Sequence, residues 1–75
     1  MSMSVHQLAA ELRRYYDGGI ATKRRMAMIH LFGVVHVEEL RDVSITELLE
    51  LADLNPSLGT EVRAGMRLSE FVVPK

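Results

Sequence analysis

Residues 48–65 read Leu-Leu-Glu-Leu-Ala-Asp-Leu-Asn-Pro-Ser-Leu-Gly-Thr-Glu-Val-Arg-Ala-Gly, and the middle of this stretch decides the fold. Asparagine is a favoured N-cap, because its side chain accepts from a first-turn amide. Proline suits the first helical position, because the N–H it lacks would be unpaired there anyway. Asn55-Pro56 therefore marks the start of a helix expected to cover residues 56 to about 64, with Gly65 as its stop. Upstream, Ser44-Ile45-Thr46-Glu47 has the spacing of a capping box. It opens a helix that places Ile45, Leu48, Leu49 and Ala52 on one face. The stretch is one helix, a sharp turn and a second helix.

The same signals recur toward the N-terminus. Ser4-Val5-His6-Gln7 has capping-box spacing, and Val5, Leu8, Ala9, Leu12, Tyr15 and Tyr16 follow the three-and-four periodicity of an amphipathic helix, with Gly18-Gly19 as the expected stop. Arg13 and Arg14 fall beside or opposite that face. Thr22 is the expected cap of a second helix running to about Phe32 and closed by Gly33. Met26, Ala27, Met28, Ile29, Leu31 and Phe32 make it apolar almost all round, which predicts a central, buried helix. Residues 36–41 read as one or two connecting turns. Met66, Leu68, Phe71 and Val72 are apolar enough to fold back on the core. The expectation is one all-α domain over residues 1–75, built of four or five short helices in a helix-turn-helix-like bundle.

With 48% hydrophobic residues in 75, the chain can build one small core. A single core of this size supplies about 3–5 kcal/mol, and with no cysteine no disulfide or thiolate metal site adds to it. Good helix packing or self-association is left to do so. No apolar run approaches the ~18 residues of a membrane span, and Met-Ser-Met-Ser-Val-His lacks the basic start and apolar core of a signal peptide. A cytoplasmic protein is expected.

The net charge of −1 conceals a two-ended chain. Arg13, Arg14, Lys23, Arg24 and Arg25 against Glu11 and Asp17 give +3, whereas Glu38, Glu39, Asp42, Glu47, Glu50 and Asp53 against Arg41 give −5. Beyond them, Arg63, Arg67 and Lys75 against Glu61 and Glu70 give +1. Such asymmetry suits association between copies as well as a basic face meeting phosphate. Lys23, Arg24 and Arg25 lie in the first turn of their helix, the unfavourable end of its dipole for cations. They are read either as clamps for an anionic partner or as a solvated turn.

Residues 48–65 resemble the helix-turn-helix of the lac repressor type. Leu48, Glu50, Leu51, Ala52, Pro56, Ser57, Val62 and Gly65 stand at matching places, over under a quarter of the chain. The resemblance implies that the helix after the proline lies in the major groove, with Ser57, Leu58, Thr60 and Glu61 near DNA, Asn55 and Ser57 bonding phosphate, and Arg63 and Arg67 supplying charge. Two positions depart from the pattern. Gly59 replaces the apolar, usually β-branched residue that locks the helix to the core, and a helical glycine is expected to mark close approach of another backbone. Asp53 replaces the usual turn glycine, and the resemblance would bring Glu47, Glu50 and Asp53 near phosphates that repel them.

Other chemistry finds little footing. His6, His30 and His36 have no i, i+4 pairing and no His-Glu-x-x-His motif, so no metal site is expected. His30 reads as a hydrogen-bonded core histidine, and Tyr15-Tyr16 as core packing rather than a base-stacking pair. There is no phosphate-cradling glycine loop, no Gly-x-Ser-x-Gly elbow and no cysteine nucleophile, so neither enzyme activity nor a cofactor is expected. The functional expectation is a DNA-binding or transcription-associated protein acting as a dimer through Asn55, Ser57, Thr60, Arg63 and Arg67, with Lys23, Arg24 and Arg25 as phosphate clamps. That reading requires the lysine-arginine cluster to share a face with Arg63. The alternative is a protein-interaction module, which requires Leu58 and Gly59 to contact another chain.

Overall fold

The computed structural model describes residues 3–71. Five α-helices, α1 (Val5–Thr22), α2 (Arg25–Val35), α3 (Val37–Leu40), α4 (Ile45–Leu51) and α5 (Gly59–Leu68), and a 3₁₀ turn at Pro56–Leu58 account for the regular structure of those residues. The fold is all-α. Its centre is filled by Leu8 and Leu12 of α1, Ile29 and Phe32 of α2, Leu40 of α3, Leu48 and Leu49 of α4 and Val62 of α5, all essentially inaccessible to water. Tyr15 covers this core edge-on to Phe32, with ring centroids 5.5 Å apart, so its packing role holds.

Caps form at Ser4, Ser44 and Asn55, and of the two expected capping boxes only the one at Ser4 is complete. Ser4 and Gln7 make both bonds of the capping box, Gln7 N–H to Ser4 Oγ at 3.1 Å and Ser4 N–H to Gln7 Oε1 at 2.8 Å. Ser44 Oγ accepts from Glu47 N–H at 3.3 Å. Asn55 Oδ1 accepts from Ser57 N–H at 2.9 Å, with Pro56 at the first position of the turn. Each cap satisfies a donor that the start of a helix leaves unpaired.

The glycines do not act as stops. Helix α1 runs through Gly18-Gly19 and ends at Lys23, which takes the left-handed conformation at φ 61° while Arg24 N–H returns to Gly19 O at 2.7 Å. Thr22 therefore closes α1 instead of opening α2, and its hydroxyl donates to Gly18 O at 2.9 Å. Gly33 and Gly65 lie inside α2 and α5, both buried. The reason is close packing of backbones. A Cβ on Gly33 would lie 2.9 Å from Gly65 Cα, one on Gly65 2.9 Å from His30 Cα, and one on Gly19 2.5 Å from Arg25 Cα. Real Cβ atoms do not approach backbone so closely, so any larger residue would push α1, α2 and α5 apart.

Helix α2 is thus central, packed between α1 and α5, but it is not buried all round, since Met26, Leu31 and Val35 remain exposed. The C-terminal expectation is also corrected. Met66 belongs to α5 and packs on the core, while Leu68 is exposed and Phe71 is 80% accessible; Val72 lies outside the described residues.

Candidate nucleic-acid interface

Helices α4 and α5 are joined by residues 52–55 and the 3₁₀ turn. The junction turns sharply because Asp53 adopts φ 57°, the left-handed region that L-residues other than Asn and Asp enter at a cost of about 1–2 kcal/mol. This is the backbone reason for glycine at the corresponding place in lac repressor-type turns, and aspartate tolerates it. Leu54 N–H closes the turn on Leu49 O at 2.9 Å.

Beyond the turn, a 3.6-residue period puts Val62 and Gly65 on the inner side of α5 and Thr60, Arg63 and Arg67 together on the outer side. Val62 and Gly65 are buried and the other three exposed. The carboxylate of α5, Glu61, is drawn sideways to α2, where Glu61 Oε2 lies 2.5 Å from His30 Nε2. His30 is hydrogen-bonded as expected, but it sits half-exposed at the α2–α5 crossing rather than in the core. Ser57 and Asn55 are exposed at the start of this surface. Asn55 Oδ1 accepts the cap bond, and the side-chain amide N–H groups remain to donate to an anionic ligand.

Gly59 is not the site of a backbone approach. A Cβ there would meet Arg63 Nη1 at 3.0 Å and methyl groups of Ile45 and Leu49 at 3.5 Å. The position is the floor over which the Arg63 side chain lies, and Val62 locks α5 to the core one turn later. Leu58 and Gly59 are buried within the chain itself. They are not available for the contact with another chain that the interaction reading asked of them.

Lys23, Arg24 and Arg25 are exposed at the α1–α2 junction. The Arg25 guanidinium lies 5.9 Å from the Tyr16 ring centroid and that of Arg13 5.5 Å. Arg13 in turn donates to Ala52 O at 3.3 Å and Asp53 O at 3.2 Å, and pairs with Asp17 at 3.3 Å. Arg13 is therefore the residue that ties the end of α4 to α1. Helical periodicity alone puts it beside or opposite the apolar face of α1. Its i, i+4 relation to Asp17 was visible, but its partners 39 and 40 residues away were not.

Among the described residues, no group of three or more acidic or histidine side chains is arranged to hold a metal ion, and no helix is long and apolar enough to cross a membrane. No curated protein and no solved structure matches the chain. A family model described as an HTH-like domain matches residues 4–75, taking in α1 to α5 together. The chain belongs to the HTH-like domain family.

Proposed function

We propose that this protein is a non-enzymatic, cytoplasmic, transcription-associated DNA-binding domain that works as a dimer, with α4 and α5 used in the lac repressor manner. The observation that carries the reading is the outer face of α5. Thr60, Arg63 and Arg67 share it while Glu61 is held aside by His30, so a polar, cationic surface is presented without a carboxylate of its own helix. Family membership points the same way at a coarse level. In this reading Thr60 reaches base edges, Arg63 and Arg67 meet phosphates, and Ser57 and the Asn55 amide hold the strand at the entrance to the helix.

The test is an amide NMR titration of the labelled chain with mixed-sequence duplex, at low and near-physiological salt. Salt-sensitive shifts centred on residues 55–67 support the reading; none at low salt retires it. The second reading, docking on a protein without nucleic acid, is favoured by the exposed Glu47, Glu50 and Leu51 of α4. It predicts an inert α5 in the same titration.

A further inference from the structure

Two patches of opposite charge lie at the ends of one strip of α1. At one end Lys23, Arg24 and Arg25 surround Ile20 and Met26, which are 53% and 42% exposed. No carboxylate among the described residues pairs with these three cations. At the other end stands Asp53, and beyond it α4 turns outward Glu50, Glu47 and Leu51, the last 41% exposed. These three carboxylates also have no cationic partner among the described residues. Each patch is a solvent-exposed apolar group rimmed by charge of one sign.

Helix geometry joins the two. Arg13, Tyr16 and Ile20 succeed one another at i, i+3 and i+7 along one side of α1. Arg13 holds the carbonyls at Ala52 and Asp53, and Arg25 lies on Tyr16. From Arg13 to Ile20 is seven residues, or about 10 Å of helix. The basic patch and the Asp53 end of α4 thus adjoin the same stretch of α1 rather than lying at opposite poles of the molecule. Opposite poles would give a head-to-tail contact that propagates into a chain of molecules. Neighbouring patches are self-complementary about a two-fold axis and close as a dimer.

We infer that a second copy of this chain docks on this surface, with the two-fold axis near Tyr16 and with Lys23, Arg24 and Arg25 of each copy facing Glu47, Glu50 and Asp53 of the other. The inference rests on the reading of the chain as a dimer and gives that dimer its interface; it does not depend on what α5 binds. A specific interface covers about 800 Å² per partner, roughly one-sixth of the 5002 Å² surface of this chain. Charge at the rim of such a contact sets register and salt dependence.

Sedimentation equilibrium of the full chain without DNA tests it. A dimer is expected near ~50 mM salt, with a dissociation constant about tenfold or more weaker near ~500 mM, where screening is far stronger. The charge reversals Lys23→Glu/Arg24→Glu and Glu47→Lys/Glu50→Lys should each give a monomer that keeps the native helical content and still melts cooperatively, without the concentration dependence that a dimer confers. An equimolar mixture of the two reversed chains should dimerise again, because the patches of one are then predominantly acidic and those of the other predominantly basic. The alanine pairs Lys23→Ala/Arg24→Ala and Glu47→Ala/Glu50→Ala should each weaken the dimer, and serve if a reversal unfolds the chain. A monomeric native chain at low salt, a dimer indifferent to these changes, or a mixture of reversed chains that stays monomeric would overturn the inference. None of these outcomes bears on DNA binding by α5, which the Arg63 and Arg67 variants test separately.

Discussion

Gly33 and Gly65 meet backbone against backbone where α2 crosses α5, and a methyl group on Gly33 would stand 2.9 Å from the Gly65 Cα and the Met66 amide nitrogen. Alanine at either position gains helix propensity, but it must force apart a helix pair that carries much of the core. Overpacking of this kind costs about 1–3 kcal/mol, against about 0.5–1 kcal/mol gained by replacing a helical glycine. Gly65→Ala and Gly33→Ala should each lose about 1–2 kcal/mol net, a large fraction of the ~3–5 kcal/mol available to one small core. Denaturant titration should show the loss, with midpoint temperatures lower by about 10 °C.

Gly59→Ala should act in the opposite direction. Its backbone is helical at φ −56°, the two methyl contacts are ordinary, and the one tight neighbour is the flexible end of Arg63. Removing glycine from such a position stabilises by about 0.5–1 kcal/mol through the unfolded chain. A rise of a few degrees in the thermal midpoint is expected. A fall would mean that the Arg63 side chain, and not the backbone, governs this position.

Asp53→Gly should also stabilise, by up to about 1 kcal/mol, since it relieves a left-handed residue without disturbing the Arg13 bond to the Asp53 carbonyl. Lys23, at φ 61°, is the parallel case. Thermal melts of the two single variants and of their combination near ~500 mM salt, where pairing between copies is screened, should show additive gains, because the positions share no side-chain contact within one chain.

Arg13→Ala removes the donor that serves two carbonyls at the end of α4. A loss of about 1 kcal/mol is expected. Faster amide exchange should be confined to residues near 48–54. Asp17→Ala breaks only the exposed pair with Arg13 and should change stability by less than about 0.5 kcal/mol. Equal effects of the two variants would assign the role to the ion pair instead of the carbonyl bonds.

Arg63→Ala/Arg67→Ala should reduce the slope of log affinity against log salt by about 0.9 for each phosphate contact removed. Glu61→Gln, which leaves the outer face of α5 unchanged, should not alter that slope. Filter binding or fluorescence anisotropy over a salt series measures both.

The elements of the fold legible in the sequence are those fixed within a few residues. Ser4-Gln7, Ser44 and Asn55-Pro56 announce their helix starts because a cap is a local hydrogen bond. The core face of α4 follows from its period. The α5 surface is legible for the same reason, since Thr60, Arg63 and Arg67 recur at helical spacing. What sequence does not carry is the second meaning of glycine. In Gly19, Gly33 and Gly65 the missing side chain serves a neighbouring helix rather than a turn, and for Gly33 and Gly65 that neighbour is distant in the chain. The Arg13 bond to the end of α4 is hidden by the same distance. So is the approach of Arg25 to Tyr16 of α1.

The glycine crossings also bear on how α5 meets a ligand. Side chains packed between helices can change rotamer and let one helix roll on another, whereas backbone laid on backbone has no such slack. The roll of α5 about its own axis is consequently set when the chain folds, and the bearings of Thr60, Arg63 and Arg67 are set with it. Whatever docks there meets a surface already in its final orientation. Little backbone ordering remains to oppose binding, so association should proceed as a rigid fit, with essentially the same helical content before and after.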